Sequence, residues 1–354
     1  MKVGAGLAMM NPGLRPDEEV YRTALRLADL VEPLGYDSIW TVEHHFTGHS
    51  PIPNALQLLT YVAGRTHRIE LGTAVVVLPW HNPLRVAEEI AVLDLLSEGR
   101  ATIGFGRGAS VVEYAGFCIP RQEGLARLSE GIDFVIRALT TERFAFDGQF
   151  YSCPELALRP RPVHDPARRL LGAAHSTQSA RLVGAKGLRL LISPERDRSI
   201  AEDIIRGYRS SSLEHGHQPA PPTIHLYVSV ALTAAEAQVR ARTYMTPMVE
   251  SLARHYRGTP LPVVTPNDVP QEGDEEQEPQ ASPKGELSRA TEAFMAKHLV
   301  GTPDECARRI REFKYMFGAD HFIGEFSYGA MPYEEAEQNI RLFAREVLPK
   351  ISTE

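Results

Sequence analysis

Eight times along this chain a short apolar run of β type is followed by a segment of helical period, and few folds satisfy that rhythm. The runs are Val3 to Met10, Ser38 to Val42, Ile69 to Leu78, Ala101 to Gly106, Leu170 to Ala174, Leu188 to Ile192, Ile224 to Leu232 and His321 to Phe326. Between the first two, acids at Asp17, Glu18 and Glu19 open a helix whose apolar face is Val20, Ala24, Leu27 and Val31 and which ends near Gly35. Val86, Ile90 and Leu93 share a face of the helix before the fourth run. The last helix carries Ala336, Ile340, Phe343 and Val347 on one side and is expected to stop at Pro349. Parallel strands joined by crossover helices, repeated eight times, predict a (β/α)8 TIM barrel, with residues 1–354 as one domain. An open doubly wound sheet usually carries G-x-G-x-x-G after its first strand; here that turn reads Met9-Met10-Asn11-Pro12-Gly13.

One segment interrupts the rhythm. Residues 258–283 hold no Lys or Arg, while Asp268, Glu272, Asp274, Glu275, Glu276 and Glu278 cluster among prolines and glutamines. Such a composition buries little apolar surface, so it predicts an acidic, flexible insertion between strands 7 and 8, either a solvated loop or a lid over the barrel mouth. Elsewhere no stretch approaches the ~18 apolar residues of a membrane span, and the amino terminus reads as free of an export signal. The net charge of −7 and pI near 6.0 supply no basic field for a nucleic acid. Three scattered cysteines without C-x-x-C spacing fit a reducing cytoplasm rather than a disulfide framework or thiolate metal site.

Chemistry-bearing residues fall where strands end. Glu43-His44-His45-Phe46 follows the second run, and alternation along a strand would send His44 and His45 to opposite sides. Adjacent histidines suit one metal poorly, and no acidic cluster nearby in sequence adds ligands, so no metal is expected. Each histidine is as readily structural as catalytic. Small residues in Gly72-Thr73-Ala74-Val75 would let a planar ligand approach the backbone, although barrel core explains them too. Arg107 stands between Gly106 and Gly108, suited to a phosphate or to solvent. In Ala174-His175-Ser176-Thr177-Gln178-Ser179, Ser176 or Thr177 would cap the next helix, and the same terminus is a ready anion site.

Together these segments resemble the bacterial-luciferase-like flavin-dependent monooxygenases. The likeness rests on Thr41 to Phe46, Leu71 to Pro79, His81 to Glu88, and Leu93-Asp94 through Ser97 to Arg100, in order and at barrel spacing. It implies an enzyme that binds reduced FMN at the barrel mouth, captures O2 as a flavin C4a-hydroperoxide and oxygenates a small organic substrate. It also implies that His44 is catalytic, that Ala74 and Val75 back the flavin ring, and that Arg107, Ser176 and Ser179, with His175, hold the cofactor. A separate flavin reductase and a homodimer follow from the same likeness. Gly106 replaces a cysteine of luciferase, and Pro194-Glu195-Arg196 lacks its aromatic residues, so light emission and an aldehyde substrate are not implied. Two other readings stay open: hydride transfer with the deazaflavin F420 on the same fold, and a non-catalytic flavin-binding protein.

Overall fold

The computed structural model describes residues 1–163, 169–193, 198–257 and 283–352. The sequence of parallel strands is β1 (Lys2–Leu7), β2 (Ser38–Thr41), β3 (Glu70–Val77), β4 (Ala101–Gly106), β7 (Leu170–Ala173), β8 (Arg189–Ile192), β9 (Thr223–Val230) and β11 (His321–Glu325). Each pairs with the next, and β11 returns to β1 while β8 meets β9, so the sheet closes on itself as a barrel of eight strands. All eight expected runs are strands. The short β10 (Leu299–Gly301) adds to the outer end of β9, and β5 (Phe144–Asp147) and β6 (Ser152–Leu156) form a separate antiparallel hairpin; neither was expected from the sequence.

Helices surround the barrel because each buries one stripe. α1 (Asp17–Val31) buries Val20, Ala24, Leu27, Ala28 and Val31, the face its periodicity predicts. α2 (Ala55–Ala63) and α3 (Pro83–Leu96) start on Asn54 and Asn82, whose side chains accept a helix N–H. α4 (Val111–Gly116) and α5 (Gly124–Thr140) follow β4, and α6 (Thr177–Ala185) and α7 (Arg198–Glu214) flank β8. α8 (Ala234–Arg257) follows β9; α9 (Pro283–Met295), α10 (Pro303–Phe317) and α11 (Tyr333–Glu346) complete the ring. The last long helix ends at Glu346, just before Pro349 as expected, and α12 (Leu348–Ser352) adds a further short helix around that proline. No described helix is long and apolar enough to cross a membrane. The acidic segment at 258–282 and Pro194-Glu195-Arg196 lie outside the described residues.

Inside the barrel, Trp40 fills the middle layer with Leu171, Leu191 and Ile323. Its indole Nε1 donates to Ser38 Oγ at 2.8 Å, and that oxygen lies 2.9 Å from His321 Nε2. Room for the ring comes from Gly4 and Gly72, where an added Cβ would collide with it. The smallness of Gly72 thus serves Trp40, not an approaching ligand. Above this layer the half-buried Ala74, Val75 and Ala173 form an aliphatic floor at the strands' C-terminal end. The Ala74–Val75 peptide is cis, and the β3–β4 register shifts there. Thr73 Oγ1 both accepts from Gly104 N at 2.9 Å and donates to Gly104 O at 3.0 Å, replacing the interrupted ladder.

Because Trp40 is only 1% exposed and packs on every side, Trp40→Ala should cost ~3–5 kcal/mol in urea unfolding; a loss below about 1 kcal/mol would show that the layer closes without it.

Candidate functional site

His44 and His45 lie beyond the last strand residue, Thr41, yet their side chains diverge as expected. His44 points to the barrel mouth, 15% exposed, and its Nδ1 lies 3.2 Å from Glu113 Oε1. His45 turns away: its backbone N donates to the same Oε1 at 2.9 Å, while its Nε2 lies 3.0 Å from Glu43 Oε1. Glu43 in turn reaches His81 Nε2 at 2.8 Å and accepts from Val77 N at 3.1 Å. Burial alone would raise the Glu43 carboxyl, but the His45 and His81 hydrogen bonds hold it below its ordinary range. One buried carboxylate therefore ties the segment after β2 to the end of β3.

Glu113 is the residue that sequence reasoning missed. It sits on α4, whose N-cap Ser110 accepts from Glu113 N and whose hydroxyl also donates to His255 O at 2.8 Å. Gly108 precedes this helix with φ +74°, and a Cβ there would stand 2.6 Å from the Trp80 ring, so the turn requires glycine. Against the penalty of burial, His255 and His44 hold the Glu113 carboxyl well below the usual carboxylate range. An ionised carboxylate only accepts, so in a neutral His44 ring Nδ1 carries the proton and Nε2 keeps the lone pair. That Nε2 is 3.5 Å from the Tyr256 hydroxyl. The sequence offers no acidic cluster as further ligands to the histidines; Glu113, 69 residues from His44 in sequence, is brought to it by the fold.

α8 supplies the opposite wall. His255 Nε2 lies 3.1 Å from Glu113 Oε1, and its Nδ1 is 2.8 Å from Thr47 Oγ1. His49 stacks on His255 at 4.8 Å between ring centroids and meets His44 edge-on at 4.8 Å. Burial pushes the His49 and His255 imidazoles down, the first strongly, so both stay neutral near pH 7. His255 is a lone histidine in an unremarkable stretch, and His49, five residues after His44, is marked by no ligand spacing.

The remaining expected residues occupy the same rim. Phe105 of β4 pairs with Gly172 of β7, so Arg107 and the His175–Ser179 segment leave neighbouring strands at one end. Arg107 is exposed, and its carbonyl accepts from Tyr114 OH at 2.9 Å. Gly106 leaves the space that the Val75 side chain fills, which explains why no larger residue stands there. Ser176 and Ser179 form a reciprocal capping box at the start of α6, with their hydroxyls 3.0 Å apart and turned to solvent together with His175. Thus the capping role is present: the Ser179 N–H is taken up by Ser176 Oγ at the exposed start of α6. An aliphatic floor, a histidine with a fixed tautomer, and a cation beside a helix N-terminus fit a planar group with an anionic tail.

At the end of β11, the buried Glu325 accepts from Ala8 N at 3.1 Å and lies 3.8 Å from His225 Nε2. Burial raises its carboxyl, with His225 and the Ala8 amide opposing less strongly. A raised folded value means stability present below the unfolded value and lost as pH rises through the folded one. Glu325→Gln, which cannot ionise, should therefore unfold at higher urea than the parent at pH 7.5 and at the same urea near pH 4; a gap independent of pH would contradict this.

Comparison with known proteins follows the same outline. The family described as "Luciferase-like monooxygenase" matches residues 1–321. The oxygenase component of a flavin-dependent trigonelline monooxygenase from Acinetobacter baylyi is 25% identical over 346 residues, covering 95% of this chain and 91% of that protein. An uncharacterized protein, y4vJ, of Sinorhizobium fredii is 30% identical over 188 residues, and the match spans about half of each, 53% of this chain and 54% of that one. Monooxygenase RslO1 from Streptomyces bottropensis superposes with a TM-score of 0.84 at 28% identity, covering 99% of both chains. An F420-dependent secondary alcohol dehydrogenase shares the fold at 16% identity and a TM-score of 0.73, covering 99% of this chain and 98% of that one. With the family's profile spanning nearly the whole barrel, this chain belongs to the luciferase-like monooxygenases, enzymes built on this fold.

Proposed function

We propose that this chain is the oxygenase component of a two-component monooxygenase, taking reduced FMN from a separate reductase and oxygenating a small organic substrate with O2. The observation that carries the reading is His44, held by ionised Glu113 with its Nε2 lone pair at the mouth, one strand from the Ala74–Val75 floor. Bound reduced FMN would supply the electrons that activate O2. The protein's part is to place and protect. Ala74, Val75 and Ala173 offer an apolar face to one side of the flavin ring and leave water no hydrogen-bond partner there. Arg107, Ser176, Ser179, His175 and the N-terminus of α6 take the phosphate, so that binding energy far from the reacting atoms fixes the ring. His44 Nε2 accepts or returns a proton at the reacting edge, while Glu113 prevents the ring from flipping tautomer. The trigonelline enzyme's description as an oxygenase component supports a separate reductase for this chain as well. Three free cysteines suit a reducing cytoplasm. Exposed Tyr61 on α2 and Val92, Leu95 and Leu96 on α3 support a homodimer through that face.

The deciding experiment supplies reduced FMN, 18O2 and a panel of organic substrates, and follows product mass. One labelled oxygen per product is expected. Substrate oxidation with oxidised F420, or substrate reduction with reduced F420, without oxygen uptake would replace this reading with hydride transfer.

Two variants test the residues. His44→Ala should bind reduced FMN within a few-fold of the parent while product formation falls about 10²–10⁴-fold; intact turnover would remove His44 from proton handling. Arg107→Ala should weaken FMN by roughly 10–100-fold, from ~1.5–3 kcal/mol of charge-assisted bonding, and leave riboflavin nearly untouched. Equal losses for both flavins would take Arg107 out of the phosphate site.

A further inference from the structure

Three ligand-type side chains converge at the mouth from separate elements: His44 after β2, Glu113 on α4 and His255 on α8. Glu113 Oε1 is 3.2 Å from His44 Nδ1 and 3.1 Å from His255 Nε2, and all three donor atoms lie within 4.8 Å of one another. Ligands bonded to one tetrahedral Zn2+ at ~2.0–2.1 Å stand roughly 3.3–3.5 Å apart, and the two Glu113 contacts already lie close to that spacing. His255 is 1% exposed, and its Nε2 is buried without a hydrogen bond. That buried nitrogen stands 3.1 Å from Glu113 Oε1, a polar atom aimed into the cluster. Behind it, Nδ1 contacts Thr47 Oγ1 at 2.8 Å, the outer hydrogen bond that orients a metal-ligating imidazole.

We propose that His44, Glu113 and His255 bind a divalent transition-metal ion of the Zn2+ or Co2+ kind, and that this ion inhibits the enzyme. Two imidazoles and one carboxylate leave a fourth tetrahedral position unfilled by protein, as in open zinc sites. Coordination through His44 Nδ1 moves the remaining ring proton to Nε2 and removes the lone pair from the mouth. No proton is lost from His44 in that exchange; its position alone changes. The inhibitory half rests on the oxygenase reading, while the binding half does not.

Full-length protein dialysed against chelator is titrated with Co2+ alone while visible absorption is recorded. One Co2+ per chain is expected, with an intense visible band that Zn2+ displaces. His255→Ala should weaken Co2+ at least about 100-fold, and Thr47→Val, which keeps every ligand, by roughly 10-fold or more. Circular dichroism checks that both variants fold; if His255→Ala does not, Thr47→Val decides. No visible band in the parent, or a band unchanged in the folded variants, overturns the site. Stoichiometric Zn2+ without loss of oxygenation overturns the inhibition. Absence of oxygenation in metal-free protein removes the oxygenase reading instead and leaves the Co2+ result standing.

Discussion

The mouth of this barrel is organised around one buried oxygen, Glu113 Oε1. It receives the His45 backbone N–H, stands within bonding distance of His44 Nδ1, and faces His255 Nε2. A carboxylate taken out of water survives ionised only when such partners surround it. Remove it, and the His45 N–H and His44 Nδ1 lose their common acceptor, while His255 on α8 loses the charge it faces. The orientation of His44, the placement of α8 and the direction of α4 are one arrangement.

A different constraint governs the space below. An eight-stranded barrel has an interior that side chains must fill, and here a single indole occupies the centre, with glycines on β1 and β3 yielding to it. The next layer up is small: Ala74, Val75 and Ala173. Large below and small above gives a firm floor and an open mouth. The same economy explains Gly106, which leaves room for Val75.

The architecture was readable from residues because it rests on periodicity. Val20, Ala24, Leu27 and Val31 mark one helical stripe, and all four are buried. All eight barrel strands stand where their apolar runs do. The short β10 and the β5–β6 hairpin were not legible, since their burial alternates weakly and three to five residues carry little signal. In the site, His44 could be singled out only through resemblance, and Arg107, Ser176 and Ser179 by local chemistry that allows a bland reading equally well. Glu113, His49 and His255 had no signal at all. Their meaning comes from proximity created by folding, 142 residues separating Glu113 from His255 and 206 separating His49 from His255, the differences of their positions in the chain.

That long reach bears on how the protein is made. His255 and Tyr256 lie near the end of the 24-residue α8, and β1 finds its second neighbour only in β11. During synthesis the first half of the barrel emerges with neither its closing strand nor the wall that confines His44. Contacts so distant along the chain form late and slowly. A ribosome-bound fragment ending before α8 would carry every residue of the floor and Glu113 as well, yet His44 would lack the wall of His255 and Tyr256 and the aliphatic surface would stand open to solvent, the state in which a cell's chaperones would first meet this enzyme.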